Sequence, residues 1–212
     1  MRIVSLFLFL SLLVSGCDKK SDFFMFDCIV YDDKIDAPVS GAHVSIFVQR
    51  IEGGFNTNYQ LVGEATTDAQ GRFYIEIEKD VFYSYRIDIS DADHFTASYE
   101  VNPDNVPFSH PYSATFSVEP KAWVATHLIN QNFSTTATFA VLSDNDNCTE
   151  CCSGNNTIVQ GFPIDSVLVC PVYGEQQITV SGNYVDMNGG VNQILQTAFA
   201  QAFDTTTVTV VY

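Results

Sequence analysis

The most reactive stretch of the chain is Cys148-Thr149-Glu150-Cys151-Cys152, with Cys170 further along. A C-x-x-C pair with two more thiols nearby has three chemistries open to it. Tetrahedral zinc needs four converging ligands, and a zinc ribbon draws them from two separated C-x-x-C pairs, of which this chain has one. Redox exchange by C-x-x-C belongs at a helix start in a βαβ setting, which nothing here supplies. Disulfide formation needs only an oxidising compartment. One or two disulfides among Cys148, Cys151, Cys152 and Cys170 are therefore expected, with Cys170 as the strand partner of one loop cysteine. Cys28 lies in an apolar run far from these and reads as a buried free thiol.

Oxygen ligands come next. Asp144, Asp146 and Glu150 are hard donors of the kind calcium takes. An EF-hand would also need its glycine and a glutamate at position twelve, and both are missing. Asp88, Asp91 and Asp93 beside His94 form a second acidic group, read as a solvated turn with metal binding as the alternative. The four histidines (His43, His94, His110 and His127) are scattered, and no nucleophile elbow, H-E-x-x-H helix or glycine-rich phosphate loop accompanies them. A triad assembled from distant residues, or a pair of carboxylates for glycoside hydrolysis, is a three-dimensional matter. No cofactor is expected. Among the aromatics, Phe55, Tyr59, Tyr74 and Tyr83 sit on loops or on the outward side of strands, where a sugar ring could stack.

The elements that must position these groups are strands. Val, Ile, Thr, Phe and Tyr dominate, in short runs broken by Gly, Asn, Asp and Pro, which is an all-β composition. Residues 72–78 show the clearest alternation: Phe73, Ile75 and Ile77 face in, while Arg72, Tyr74, Glu76 and Glu78 face out. Val44, Ile46 and Val48 do the same within 42–50. With 24–31, 59–66, 83–89, 95–101 and 114–118 they make about seven strands. Glu119-Pro120 then marks a joint, because proline holds the residue before it extended. Beyond it, residues 122–129, 136–142, 157–160, 166–172, 177–184 and 205–212 read as further strands. Residues 193–203 are ambiguous, since Ile194, Ala198 and Ala202 also fit the spacing of a short helix. The fold class is all-β, two β-sandwiches, divided 24–119 and 120–212.

Two groups of residues carry resemblances. Val30-Tyr31-Asp32, Pro38-Val39-Ser40-Gly41-Ala42-His43-Val44 and Thr67-Asp68-Ala69-Gln70-Gly71-Arg72-Phe73 resemble the transthyretin-like domain of the carboxypeptidase regulatory-like family. The resemblance covers roughly 24–120. It departs at Cys28, where the family often has glycine, and in the longer loop 53–58. It implies a small β-sandwich used as an accessory or interaction module and no catalytic residues. At the N-terminus, Arg2 precedes an apolar run too short for an ordinary membrane span. Leu13-Val14-Ser15-Gly16-Cys17 then resembles the lipobox of bacterial lipoproteins. That resemblance implies cleavage after residue 16, a lipid on Cys17, and a polar tether over 17–23.

Composition narrows the function. The chain has 25 Asp and Glu against 9 Lys and Arg, a net charge of −16. Removing 1–16 takes one positive charge, Arg2, and leaves −17. So acidic a chain lacks the cations that grip nucleic acid phosphates or anionic lipid. Acyl chains on one residue would hold it at a membrane instead, each methylene contributing about 0.8 kcal/mol. The expectation is a non-catalytic, lipid-anchored cell-envelope protein acting in binding or assembly, with an envelope protein or a glycan as partner. Surface carbohydrate capture and an envelope hydrolase are the alternatives. The membrane and the face are left open.

Overall fold

The structure is a computed structural model and describes residues 22–50, 58–131, 136–145, 148–161 and 163–212. The sites expected at Cys17, Phe55 and Asp146 lie outside the described residues. The architecture is all-β, with two sandwich-like halves, each with its own core.

The first half contains β1 (Phe23–Asp32), β2 (Ala37–Pro38), β3 (His43–Arg50), β4 (Gln60–Thr66), β5 (Arg72–Glu78), β6 (Phe82–Ser90), β7 (Ala97–Val101) and β8 (Thr115–Ser117). One sheet runs β2-β1-β5 with β8 parallel to β1, and the other runs β4-β3-β6-β7. The period-two alternation becomes burial. Phe73, Ile75 and Ile77 on β5 meet Val44, Ile46 and Val48 on β3 and Tyr85, Ile87 and Ile89 on β6 in one core. Cys28 is free and buried in that core, and burial pushes its thiol up to about 11.

The Thr67–Phe73 segment shows why its residues are what they are. The Thr67 hydroxyl donates to the Val39 carbonyl at 2.7 Å and accepts from the Ala42 amide at 2.9 Å, so it ties the β2–β3 loop to the end of β4. The Asp68 carboxylate accepts from the amides of Gln70 and Arg72 and closes the turn into β5. Gly71 has φ +71°, and a Cβ there would lie 2.4 Å from the Val30 carbonyl oxygen, so this turn requires glycine.

The second half contains β9 (Lys121–Ile129), β10 (Thr136–Leu142), β11 (Thr157–Gln160), β12 (Asp165–Tyr173), β13 (Gln176–Val185), β14 (Val191–Ala200) and β15 (Thr205–Val211). Its sheets run β12-β9-β15, with β15 parallel to β9, and β11-β10-β13-β14. Val124, Leu128, Phe139, Ile178, Val180, Val208 and Tyr212 lie in the core between them. The stretch 193–203, open to a short helix on spacing, is the strand β14 and the turn after it. A separation of four fits both periods, and the tertiary partner decides: all ten residues of β14 pair with β13.

The halves meet where β8 hands over to β9. The Phe95 amide donates to Glu119, the Lys121 amide to Asp93, and the Gly174 amide to Pro120. Phe95 packs on Tyr173 across this joint, with ring centres 5.1 Å apart.

Candidate functional site

The cysteines form two adjacent bridges, Cys148–Cys151 and Cys152–Cys170. The second joins the β10–β11 connection to β12 on the opposite sheet. Backbone bonds reinforce it: the Cys152 amide donates to Pro171 at 2.7 Å, and the Asn145 side chain donates to the Cys152 carbonyl. The Gln176 amide group brackets Asp144 by accepting from its amide and donating to its carbonyl. Glu150 reaches Lys121 at 4.0 Å. Both contacts to Asp144 are made by its backbone, and the Glu150 carboxylate faces Lys121. Among the described residues, no three His, Cys, Asp or Glu side chains are placed to hold a metal ion.

The turn at Asp91 and His94 differs from a solvated one. His94 is buried; its Nδ1 lies 2.7 Å from Asp91 Oδ1 and its Nε2 lies 3.1 Å from Asp32 Oδ2. Asp32 has no exposed surface and also accepts from the amides of Lys34 and Ile35. Phe203 of the second half sets its ring against the imidazole at 5.3 Å. Burial opposes ionisation of Asp91, yet hydrogen bonds from His94 and the Asp93 amide outweigh it and hold that carboxyl below its ordinary value. Sequence pattern groups Asp91 with His94 but misses Asp32, which stands 62 residues from His94. Both ring nitrogens of His94 face carboxylates, so it joins the 91–94 turn to the end of β1.

His43, Ser45 and Glu64 also come together, on the outer face of the first half. His43 uses one nitrogen, Nε2, for both neighbours, at 3.1 Å to Glu64 and 3.2 Å to Ser45. A relay through imidazole needs opposite nitrogens, one on the hydroxyl and one on the carboxylate.

A cleft of about 390 Å³ opens at the joint, lined by Phe95, Tyr99, Ser117, Glu119 and Tyr173. Burial raises the Glu119 carboxyl above its ordinary value, and Asp32, Asp144 and Asp33 add to the effect against Lys34. Among the described residues no second carboxylate or histidine lines this cleft.

The candidate aromatics do not form one platform. Tyr74 lies on β5 and donates to Glu76, whereas Tyr83 lies on β6 in the other sheet. Tyr59 donates to Glu100 and covers the Arg86 guanidinium at 4.4 Å, and the Phe47 ring lies 4.6 Å from the same cation. This side of the first half is charged and paired with itself.

The second half is chemically unlike the first. No Lys or Arg occurs from residue 122 to the end. On the outer face of β11-β10-β13-β14, β13 presents Gln177, Thr179, Ser181 and Asn183, while Ile178 and Val180 point into the core. Their partners on β14 are Phe199, Thr197, Leu195 and Gln193. On β10 they are Leu142, Ala140 and Thr138, which pair with Thr179, Ser181 and Asn183. None of these residues is charged. Val191, Leu195 and Phe199 are 72%, 67% and 54% exposed, a run of apolar surface on a strand without charge.

This face holds a groove of about 340 Å³. Ala140, Leu142 and Leu195 give it apolar surface. Ser181, Asn183, Gln193 and Asn156 give it hydroxyl and amide groups. Gly154 and Asn156 come from the segment that the Cys152–Cys170 bridge fastens. Gly182 sits where β13 passes closest to β10: a Cβ would fall 1.9 Å from the Thr138 carbonyl oxygen. Thr, Ser, Asn and Gln carry no reactive signature, so a search for chemistry passed over them. The visible signal was the loss of Lys and Arg after residue 121 together with amide and hydroxyl residues at alternate positions of 177–183.

No protein-family model matches the chain, and no curated protein matches it. Several solved structures are similar at low identity. The minor pilin GBS52 of Streptococcus agalactiae is 10% identical with a TM-score of 0.40, over 88% of this chain and 94% of that one. The shaft pilin SpaA of Lactobacillus rhamnosus GG is 8% identical with a TM-score of 0.34, over 89% and 97%. A 9R-lipoxygenase from Cyanothece PCC8801 is 15% identical with a TM-score of 0.33 over 47% of this chain, which spans 17% of that enzyme's length.

Proposed function

We propose that this chain is a lipid-anchored cell-envelope protein that binds and does not catalyse, and that its binding surface is the uncharged outer face of β11-β10-β13-β14. The observation that carries the reading is the contrast between that face and the charged strands of the first half, in a chain of net charge −16. Solubility favours charge on exposed strands, and exposed sheet edges are commonly guarded by it. The first half follows that rule, with Glu64 on β4, Arg72, Glu76 and Glu78 on β5, and Glu100 on β7. The second half departs from it along β14, where ten residues carry no charge. Such a departure on a stable scaffold marks contact with another molecule.

The non-catalytic part of the proposal is supported by how two of the four histidines are used, while His127 pairs with the exposed Asp165 at 2.6 Å and no hydroxyl is recorded on its ring among the described residues. His94 is engaged at both nitrogens, and His43 presents one nitrogen to two neighbours. The lipobox-like residues around Cys17 support attachment to a membrane, with the first half as a transthyretin-like spacer that carries the second away from the lipid.

The test is retention on isolated cell-envelope fragments, with Cys17→Ala in every protein so that no lipid holds it there. The intact chain is compared with Leu195→Glu and Ser181→Glu, which place charge on the face, and with Tyr83→Ala on the first half. The expected result is loss of retention for the two glutamate variants alone. Equal retention of all four proteins would overturn the assignment.

A further inference from the structure

Resting on the reading that this face binds, we propose that the groove between β10, β13, β14 and the Gly154–Asn156 segment takes a neutral saccharide. About 340 Å³ lies at the small end of ligand clefts, enough for about one or two sugar rings but not for a folded partner.

The polar groups come next. Asn156, Asn183 and Gln193 each offer both a donor and an acceptor, and Ser181 offers a hydroxyl that does either. Among the described residues, none of these four side chains has a hydrogen-bond partner. Groups that can both donate and accept are the complement of sugar hydroxyls, which do the same.

Charge then selects the class. No Lys or Arg occurs from residue 122 onward, so a carboxylated or sulfated ligand would lose its water for no cation. Among the described residues no Asp or Glu lines the groove, so an ammonium group fares no better. A neutral ring loses least, and the C–H face of a pyranose matches the aliphatic surface of Ala140, Leu142 and Leu195.

Finally, the site is held in shape. One wall is fastened by the Cys152–Cys170 bridge and the Cys152–Pro171 hydrogen bond, and the floor is a paired sheet. Little ordering is then required when ligand arrives. Because the groove is open and lacks an aromatic platform, affinity for a single unit is of the order of millimolar, and repeated units or many anchored copies raise it.

The experiment applies the intact chain to an array of neutral glycans (cello-, chito- and manno-oligosaccharides) beside acidic ones (uronate and sialylated). Titration follows with the best neutral oligomer. The expected outcome is signal on neutral glycans only, about tenfold weaker for Asn183→Ala and for Gln193→Ala, each having lost hydrogen bonding to the ring, and unchanged for Tyr83→Ala. Both sites are exposed, and unaltered thermal unfolding confirms that the variants fold. Three results would overturn the proposal: no neutral glycan bound by folded protein, binding confined to acidic glycans, or binding indifferent to both substitutions. If neutral glycans fail while Leu195→Glu still abolishes envelope retention, the saccharide is wrong and the face stands. If retention is also unaffected, both fall.

Discussion

Glu119 offers a quantitative test of the joint between the two halves. Its Oε2 is buried and has no hydrogen-bond partner. Burial raises the carboxyl, and Asp32, Asp144 and Asp33 add repulsion that Lys34 only partly offsets. A carboxyl raised on folding binds its proton more tightly in the folded chain than in the unfolded one. Stability contributed by the protonated form is therefore lost as pH climbs from the unfolded value, about 4.3, through the folded one. Above its folded value the wild-type protein carries an unpartnered, half-buried carboxylate, and Glu119→Gln removes the charge while keeping the shape. Glutamine leaves an unpartnered polar head there, so only the charge is removed; discounted for solvent screening of a half-buried group, the gain is at most about 1 kcal/mol, or about 2–4 °C in Tm for a chain of this size. Thermal unfolding followed by fluorescence of Trp123, the sole tryptophan and close to the joint, reads the effect. The gain is expected at pH 7 and gone at pH 3.5, where both proteins are neutral at this position. A variant that is less stable at pH 7, or a gain equal at both pH values, would refute the reasoning.

Other predictions follow from the same geometry. Asp32→Ala leaves His94 and the amides of Lys34 and Ile35 without their acceptor, and breaking such a buried pair costs about 3–5 kcal/mol by urea unfolding; a loss below about 1 kcal/mol would mean the cluster is not holding the joint. Replacing both Cys152 and Cys170 by serine opens a loop spanning a sequence separation of 18 and costs about 3 kcal/mol, whereas the Cys148/Cys151 pair, with a separation of 3, costs much less; equal losses in Tm would contradict this ordering. Cys28, with its thiol pushed up to about 11 by burial, stays unmodified by iodoacetamide at pH 8 in the folded chain and reacts in urea; rapid labelling of the folded protein, mapped by mass, would show the first core to be open there.

How far the sequence speaks for the structure depends on what each element needs. The strand β5 is legible because every inward residue is apolar and every outward one polar, so one period explains it. The Thr67–Phe73 turn is legible because a hydroxyl, a carboxylate and a glycine each have one local task there. Residues 193–203 are not, since Ile194, Ala198 and Ala202 fit either period and the pairing with β13 settles them. The Asp32–His94 contact is invisible along the chain because it exists only once two distant loops pack together. Cysteine pairing was left open by spacing, and the crossing from the β10–β11 connection to β12 depends on how the sheets face each other. The uncharged face is the hardest case. Thr, Ser, Asn and Gln look like ordinary strand surface one at a time, and their neutrality means something only when three strands lie side by side.

The central claim is that this face is where the chain meets its ligand, and amide hydrogen exchange tests it most directly. The intact protein is exchanged alone and with isolated envelope fragments, and protection is mapped along the chain. The account predicts added protection over β13, β14 and the Gly154–Asn156 segment, with the strands of the first half unchanged. Protection confined to β3, β6 and β7, with β13 and β14 exchanging as in the free protein, would contradict it.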